Sequence, residues 1–127
     1  MDYLKSFTKE LEKAGVEAGS AAPPRYWYST GNFVVNKILS GSFLKGIPQG
    51  RITCFTGPSG AGKSFMVGNV IREAQKAGAQ IVVLDSENAL DDEFVSKIGA
   101  DPTSGYVYVP VDTIPQTQNV VSKFMNG

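Results

Sequence analysis

Residues Gly57, Pro58, Ser59, Gly60, Ala61, Gly62, Lys63 and Ser64 read Gly-x4-Gly-Lys-Ser, and the residue types at this spacing suit the holding of phosphate. Glycines let the backbone turn tightly and bring successive N–H groups toward one point. Lys63 can reach the β- and γ-phosphates of a nucleoside triphosphate such as ATP, and the Ser64 hydroxyl can ligate Mg²⁺. A helix that starts near Gly62 adds the positive end of its dipole at the same spot. Two glycines, a lysine and a serine fall at these spacings by chance on the order of a few times in a thousand chains of this length.

A second group of chemically capable residues, Asp85 and Glu87, lies in Asp85-Ser86-Glu87-Asn88. It follows an apolar run, at the end of a strand where open α/β sheets place ligands. The run Ile81-Val82-Val83-Leu84-Asp85 imitates a Walker B strand. Only one helix and one strand separate it from Lys63, whereas many P-loop ATPases place that motif later. Two catalytic readings are open. In small-molecule phosphotransferases, acids here grip or deprotonate the acceptor. In some ATPases a glutamate here activates the water that attacks the γ-phosphate, a role that contributes about 10²- to 10⁴-fold. A solvated strand end with no chemistry is the bland alternative.

These residues need elements to position them. Arg51 to Thr56 is a short β-prone run ending at Gly57, and Phe65 to Ala77 carries Phe65, Met66, Val70, Ile71 and Ala74 at helical spacing before Gly78. Strand, glycine loop and helix is the setting the phosphate pattern requires. Ala79 to Leu84 predicts a strand buried on both faces, Leu90 to Ile98 a short helix, Gly105 to Val111 a strand and Thr113 to Met125 a helix with Val120, Val121 and Phe124 on one face. The alternation predicts parallel strands with right-handed crossovers. Upstream, Tyr3 to Ala18 reads as a helix with Leu4, Phe7, Leu11 and Ala14 on one face, weakened at its far end by Gly15 and Gly19. The stretch from Gly19 to Pro24 reads as a linker. Residues 1–24 are thus an appended helix and linker, and residues 25–127 the main fold. Arg25-Tyr26-Trp27-Tyr28 either stacks nucleobases or anchors a short strand on the core, the latter being the ordinary use of such a cluster. Asn32 to Leu39 reads as a strand running into a turn of helix, and Ser40 to Gly50 as a loop.

Composition narrows the function classes. Twelve basic side chains balance twelve acidic ones, so no basic field marks a constitutive DNA-binding module within these residues. Histidine is absent, which excludes His-based metal sites and Ser-His-Asp catalysis. Cys54 is the single cysteine; it cannot form an intrachain disulfide, and its place in the expected strand reads as a buried structural thiol. No secretory pattern opens the chain, and no run approaches the roughly 20 apolar residues of a membrane span. A reducing cytoplasm is the expected setting.

The wording around the acids brings a family into view. Asp85-Ser86-Glu87-Asn88-Ala89-Leu90-Asp91 resembles the Asp-Ala-Glu-His-Ala-Leu-Asp segment of bacterial RecA recombinases. Ile38-Leu39-Ser40-Gly41, Gly46 to Ile52 and Gly57-Pro58 resemble that family's approach to its phosphate loop. The Asp-Ser-Glu form, Ile98-Gly99-Ala100-Asp101-Pro102 and Pro110-Val111 look closer to UvsX, the RecA-like recombinase of tailed bacteriophages. The likeness runs from about Thr30 to Met125.

The resemblance implies an α/β P-loop NTPase of RecA-like parallel sheet flanked by helices, incomplete here, with an appended N-terminal helix. It implies that Gly57 to Ser64 bind ATP, with Ser64 on Mg²⁺, and that Lys63 and Glu87 are catalytic. It places Phe94 where an aromatic ring stacks on adenine and Asp91 where an acid meets the adenine amino group; a core contact for Phe94 and a helix N-cap for Asp91 are the plain alternatives. The implied protein is a DNA-dependent ATPase that forms a filament on single-stranded DNA for strand exchange in recombination and repair, in the host cytoplasm if phage-encoded. The N-terminal helix resembles a subunit-docking segment. The family's Walker B strand, DNA-binding loops and γ-phosphate sensor fall beyond residue 127, which implies that the 127-residue chain is inactive alone. A helicase or RadA-like motor of the same superfamily is the nearer alternative, and a small-molecule kinase the more distant one.

Overall fold

The structure, a computed structural model, describes residues 3–16 and 22–127. Its elements are α1 (Tyr3–Lys13), β1 (Trp27–Tyr28), α2 (Phe33–Ser40), β2 (Ile47–Pro48), α3 (Lys63–Lys76), β3 (Ile81–Asp85), α4 (Asp92–Ile98), β4 (Tyr106–Pro110) and α5 (Ile114–Asn126). It is a mixed helix–sheet chain.

The core forms where α3 and α4 meet the β3–β4 pair. β3 and β4 run parallel, with Ile81 opposite Tyr106, Val83 opposite Tyr108 and Asp85 opposite Pro110. Ile71 of α3, Val83 of β3, Val95 of α4 and Ala100 form the buried cluster, with Val67, Ile81, Leu90, Tyr106 and Tyr108 packed against it. Val95 is completely buried. Full burial of such a side chain stabilises by about 1.5–3 kcal/mol. α3 and α4 come close because position 68 is glycine: a Cβ there would collide with the Ile98 side chain and lie 3.4 Å from the Phe94 ring.

A second unit ties the chain together ahead of the glycine loop. β1 and β2 pair antiparallel, so Trp27 and Tyr28 form the expected short strand, half-buried, while Arg25 and Tyr26 remain exposed. Asn36 of α2 is wholly buried and makes four bonds. Its Oδ1 accepts from the Thr30 amide at 2.8 Å and the Thr30 hydroxyl at 2.7 Å, and its Nδ2 donates to Ser29 Oγ at 3.0 Å and to the Phe43 carbonyl at 2.8 Å. A buried amide side chain is tolerated only when satisfied in this way.

Several sequence expectations change. Residues 32–39 are not a strand running into a helix; α2 begins at Phe33, because Asn32 caps it by accepting from the Val34 and Val35 amides. Two side-chain bonds to the first turn outweigh the β preference of the Val34-Val35 pair. The expected strand from Arg51 to Thr56 is in no ladder. β propensity specifies a pleated surface but supplies no partner backbone, and among the described residues no neighbouring strand pairs with it. Cys54 is accordingly exposed rather than buried, and Ile52 is fully exposed. The parallel sheet therefore has two strands in place of three. α1 ends at Lys13, short of Ala18, and has no buried residue; Gly15 adopts φ 75° just past it. Residues 17–21, which hold the expected helix end and much of the linker, lie outside the described residues. α5 is capped as its sequence suggests, with a Thr113–Gln116 capping box and a proline in its first turn, but it too has no buried residue.

Gly46 is the tightest backbone position of the second unit. A Cβ there would lie 2.5 Å from Asn36 Oδ1 and 2.8 Å from the Tyr28 carbonyl oxygen. Gly46→Ala is predicted to destabilise by about 1–3 kcal/mol, as overpacking does. Urea denaturation read as a midpoint shift checks this, and an unchanged midpoint contradicts it.

Candidate functional site

The glycine loop is built by backbone conformation. Gly60 and Gly62 adopt φ 78° and 92°, a region open to glycine at no steric cost. The Ala61 amide donates to the Pro58 carbonyl at 3.2 Å, closing the turn. Gly62 is the N-cap of α3 and offers no side-chain bond to its first turn. The leading amides of the helix are therefore left for another acceptor, the arrangement that suits an anion.

Lys63 opens α3, and its ammonium folds back over the loop. Nζ donates to the Gly57 carbonyl at 2.6 Å and to the Pro58 carbonyl at 3.0 Å. The charge is thereby centred on the loop rather than extended into solvent. Ser59, Gly60, Gly62, Lys63 and Ser64 of the loop and helix start, with Phe65, line a cleft of about 320 Å³ together with Glu87 and Phe94. That volume lies at the small end of the ligand-site range.

The structure thus brings together residues that the chain separates by two elements. Gly57 and Pro58 act through their carbonyls on Lys63, and Ala61 through its amide. Asp91 is not on the cleft wall; its carboxylate accepts from the Phe94 amide at 2.8 Å and caps α4. By starting α4 there, Asp91 sets where the Phe94 ring emerges. Phe94 does two things, packing near Gly68 and facing the cleft.

Asp85 does something the sequence did not single out. It is 8% exposed, and its carboxylate faces its own loop. Oδ1 accepts from the Glu87 amide at 3.0 Å, Oδ2 accepts from the Leu90 amide at 2.9 Å, and the Tyr108 hydroxyl lies 3.2 Å from Oδ2. Burial pushes this carboxyl up, but the Leu90 and Glu87 amides, the Tyr108 hydroxyl and the Ala89 amide favour the charged form and hold its pKa below the ordinary value. Glu87 itself is exposed at the cleft. The Asp-x-Glu spacing, a side-chain oxygen bonding the amide two residues on, was the available local signal. The tyrosine partner comes from β4, twenty-three residues away, and has no local signal.

A second depression, of about 340 Å³, is lined by Leu84, Ser86, Val111, Asp112, Thr113 and Thr117 among others. It contains an aspartate and no cation, so it does not suit phosphate. No group of three or more His, Cys, Asp or Glu side chains able to hold a metal occurs among the described residues. Mg²⁺ does not need one, because it keeps several waters and takes few protein ligands beside substrate phosphates. The Ser64 hydroxyl, one of two serine hydroxyls in residues lining the cleft, fits that donor set.

The cleft-lining residues of this mixed helix–sheet chain come from the glycine loop and the start of α3, the loop after β3, and α4. Residues 12–127 match the RecA N-terminal domain family. The chain is 35% identical over 105 residues to Protein RecA of Corynebacterium jeikeium (strain K411), covering 83% of this chain and 27% of that protein. It is 43% identical over 82 residues to Protein RecA of Aquifex aeolicus (strain VF5), covering 65% and 24%. The chain belongs to the RecA family. It spans about a quarter of the length of these curated relatives.

The Asp85 carboxylate carries a pH signature. A group whose folded pKa is depressed stabilises the fold above its unfolded value, about 3.9, and that contribution is lost as pH falls through the folded value. Asp85→Asn is predicted to be about 1–3 kcal/mol less stable than the wild type at neutral pH. The difference should shrink as pH drops below about 4. Melting temperatures of both proteins across pH test this; a gap that is constant from pH 7 to pH 3 contradicts it.

Proposed function

We propose that this chain is the ATP-binding part of a RecA-family recombinase, a P-loop NTPase that hydrolyses ATP when assembled on single-stranded DNA. One observation carries the reading: in a chain of this family, Glu87 and Phe94 line the same cleft as Lys63 and Ser64. In this reading Gly57 to Ser64 wrap the triphosphate with backbone amides. Lys63 leaves the Gly57 and Pro58 carbonyls for the β- and γ-phosphate oxygens, and Ser64 would hold Mg²⁺, which would supply neutralisation of phosphate charge when bound. Glu87 accepts a proton from the water that attacks the γ-phosphorus as the bond to the ADP oxygen breaks. Phe94 offers an apolar face to the adenine, with Asp91 at the helix start beside it.

DNA contact, the Walker B strand and the γ-phosphate sensor belong to regions of the complete protein past residue 127, and self-association into a filament extends the same reading. Residues 1–24 act as a subunit-docking segment of residues 25–127. Consistent with this, α1 exposes Tyr3, Leu4 and Phe7 and buries none of its residues. The Asp-Ser-Glu form favours a UvsX-type member, and hence a host cytoplasm. No helix among the described residues is long and apolar enough to cross a membrane.

Two substitutions in the complete protein test the chemistry. Glu87→Gln is expected to leave ATP binding near normal and lower hydrolysis by about 10²- to 10⁴-fold; turnover at the wild-type rate removes Glu87 from the mechanism. Lys63→Ala should weaken binding and turnover together, by about 2–4 kcal/mol. DNA-pairing assays divide the readings. Joint-molecule formation supports a recombinase, and strand separation alone a helicase or RadA-like motor. ATP turnover stimulated by a metabolite and indifferent to DNA supports a kinase.

A further inference from the structure

We propose that Tyr108, aided by Tyr106, is a positioning residue for Glu87, clamping the loop that presents it. The inference rests on the reading of Glu87 as the base. β4 lies parallel beside β3 in a register that sets Tyr108 opposite Val83 and Tyr106 opposite Ile81. Both hydroxyls therefore lie along the strand that leads into the Glu87 loop. The Tyr108 hydroxyl lies 3.2 Å from Asp85 Oδ2 and 3.2 Å from Asn88 Oδ1; its single proton goes to one acceptor at a time, and the charged Asp85 carboxylate is the stronger of the two. The Tyr106 hydroxyl donates to the Leu90 carbonyl at 3.2 Å, at the far end of the same loop.

The loop needs this support at one residue. Asn88, directly after Glu87, has φ 55°, a left-handed conformation that asparagine tolerates better than most side chains but does not prefer. The Asp85 carboxylate fixes the amides of Glu87 and Leu90, yet it has no hold on the Asn88 side chain. The Tyr108 hydroxyl stands beside that side chain and steadies the Asp85 carboxylate on which the loop amides depend. At 3.2 Å these hydroxyl contacts are longer than the usual O–H···O range of about 2.5–3.0 Å, so each only sharpens an arrangement that Asp85 already imposes. A Glu87 carboxylate whose direction is loosened still permits nucleotide binding, since Lys63, Ser64 and the loop amides are held by other elements. It reaches the attacking water less often. The signature is a fall in kcat without a matching change in nucleotide affinity.

The test is steady-state ATP turnover of the complete protein on single-stranded DNA, with ATP affinity measured separately, for wild type, Tyr108→Phe and Glu87→Gln. Phenylalanine keeps the ring that packs on the core. Tyr108→Phe is expected to lower kcat about threefold to tenfold, the scale of one hydrogen bond, with Kd for ATP and melting temperature essentially unchanged. If Glu87→Gln is inactive while Tyr108→Phe keeps the wild-type kcat, the clamp is wrong and the base reading stands. If Glu87→Gln keeps its turnover, the base reading fails and takes the clamp with it. A Tyr108→Phe loss that appears in Kd and melting temperature in proportion to kcat marks a merely structural residue and also overturns the proposal.

Discussion

The buried carboxylate of Asp85 is the constraint on which the acidic wall of the cleft depends. A strand that ends in an acid would ordinarily present it to solvent. Here the acid turns inward, accepts from the Glu87 and Leu90 amides, and converts the end of β3 into a closed loop. Charged acceptors make stronger hydrogen bonds than neutral ones, so this ring resists opening. Its consequence is directional. With its own amide fixed, Glu87 emerges toward the α3 N-terminus, and α4 begins in time for Phe94 to join the same cleft.

The opposite wall has a separate origin. Its shape comes from glycines at positive φ and from a helix start without a side-chain cap. Neither depends on β3 or its loop. The two walls meet because α3 packs on β3 and α4 through Ile71, Val83 and Val95, with Gly68 permitting close approach. A small core thus sets the distance between the glycine loop and an acid that its own loop holds in place.

Much of this was legible in the sequence, and the unread parts share a cause. The glycine loop, α3, β3, α4, β4 and α5 follow from periodicity and capping signals carried within each segment, such as Thr113 with Gln116. The resemblance singled out Glu87 and Phe94, and both line the cleft that Lys63 and Ser64 also line. The segment 51–56 was misread because a strand is defined by a partner backbone that propensity cannot supply, and Cys54 went with it. α2 was misread because Asn32 and Asn36 hold a helix that the Val34-Val35 pair argues against. Asp85 was weighed as a reacting acid, when its two amide bonds make it the organiser of the loop. Tyr108 carries no local pattern at all; only the parallel register of β3 and β4 brings it to Asp85.

Residue-resolved amide hydrogen exchange tests the central claim most directly, because it reads the bonds to Asp85 without reference to any ligand. Protected amides at Glu87 and Leu90, beside a fast-exchanging Ser86, are the predicted pattern, with protection lost selectively in Asp85→Asn. Glu87 and Leu90 amides that exchange as fast as Ser86 in the wild type would contradict the claim that Asp85 holds this loop.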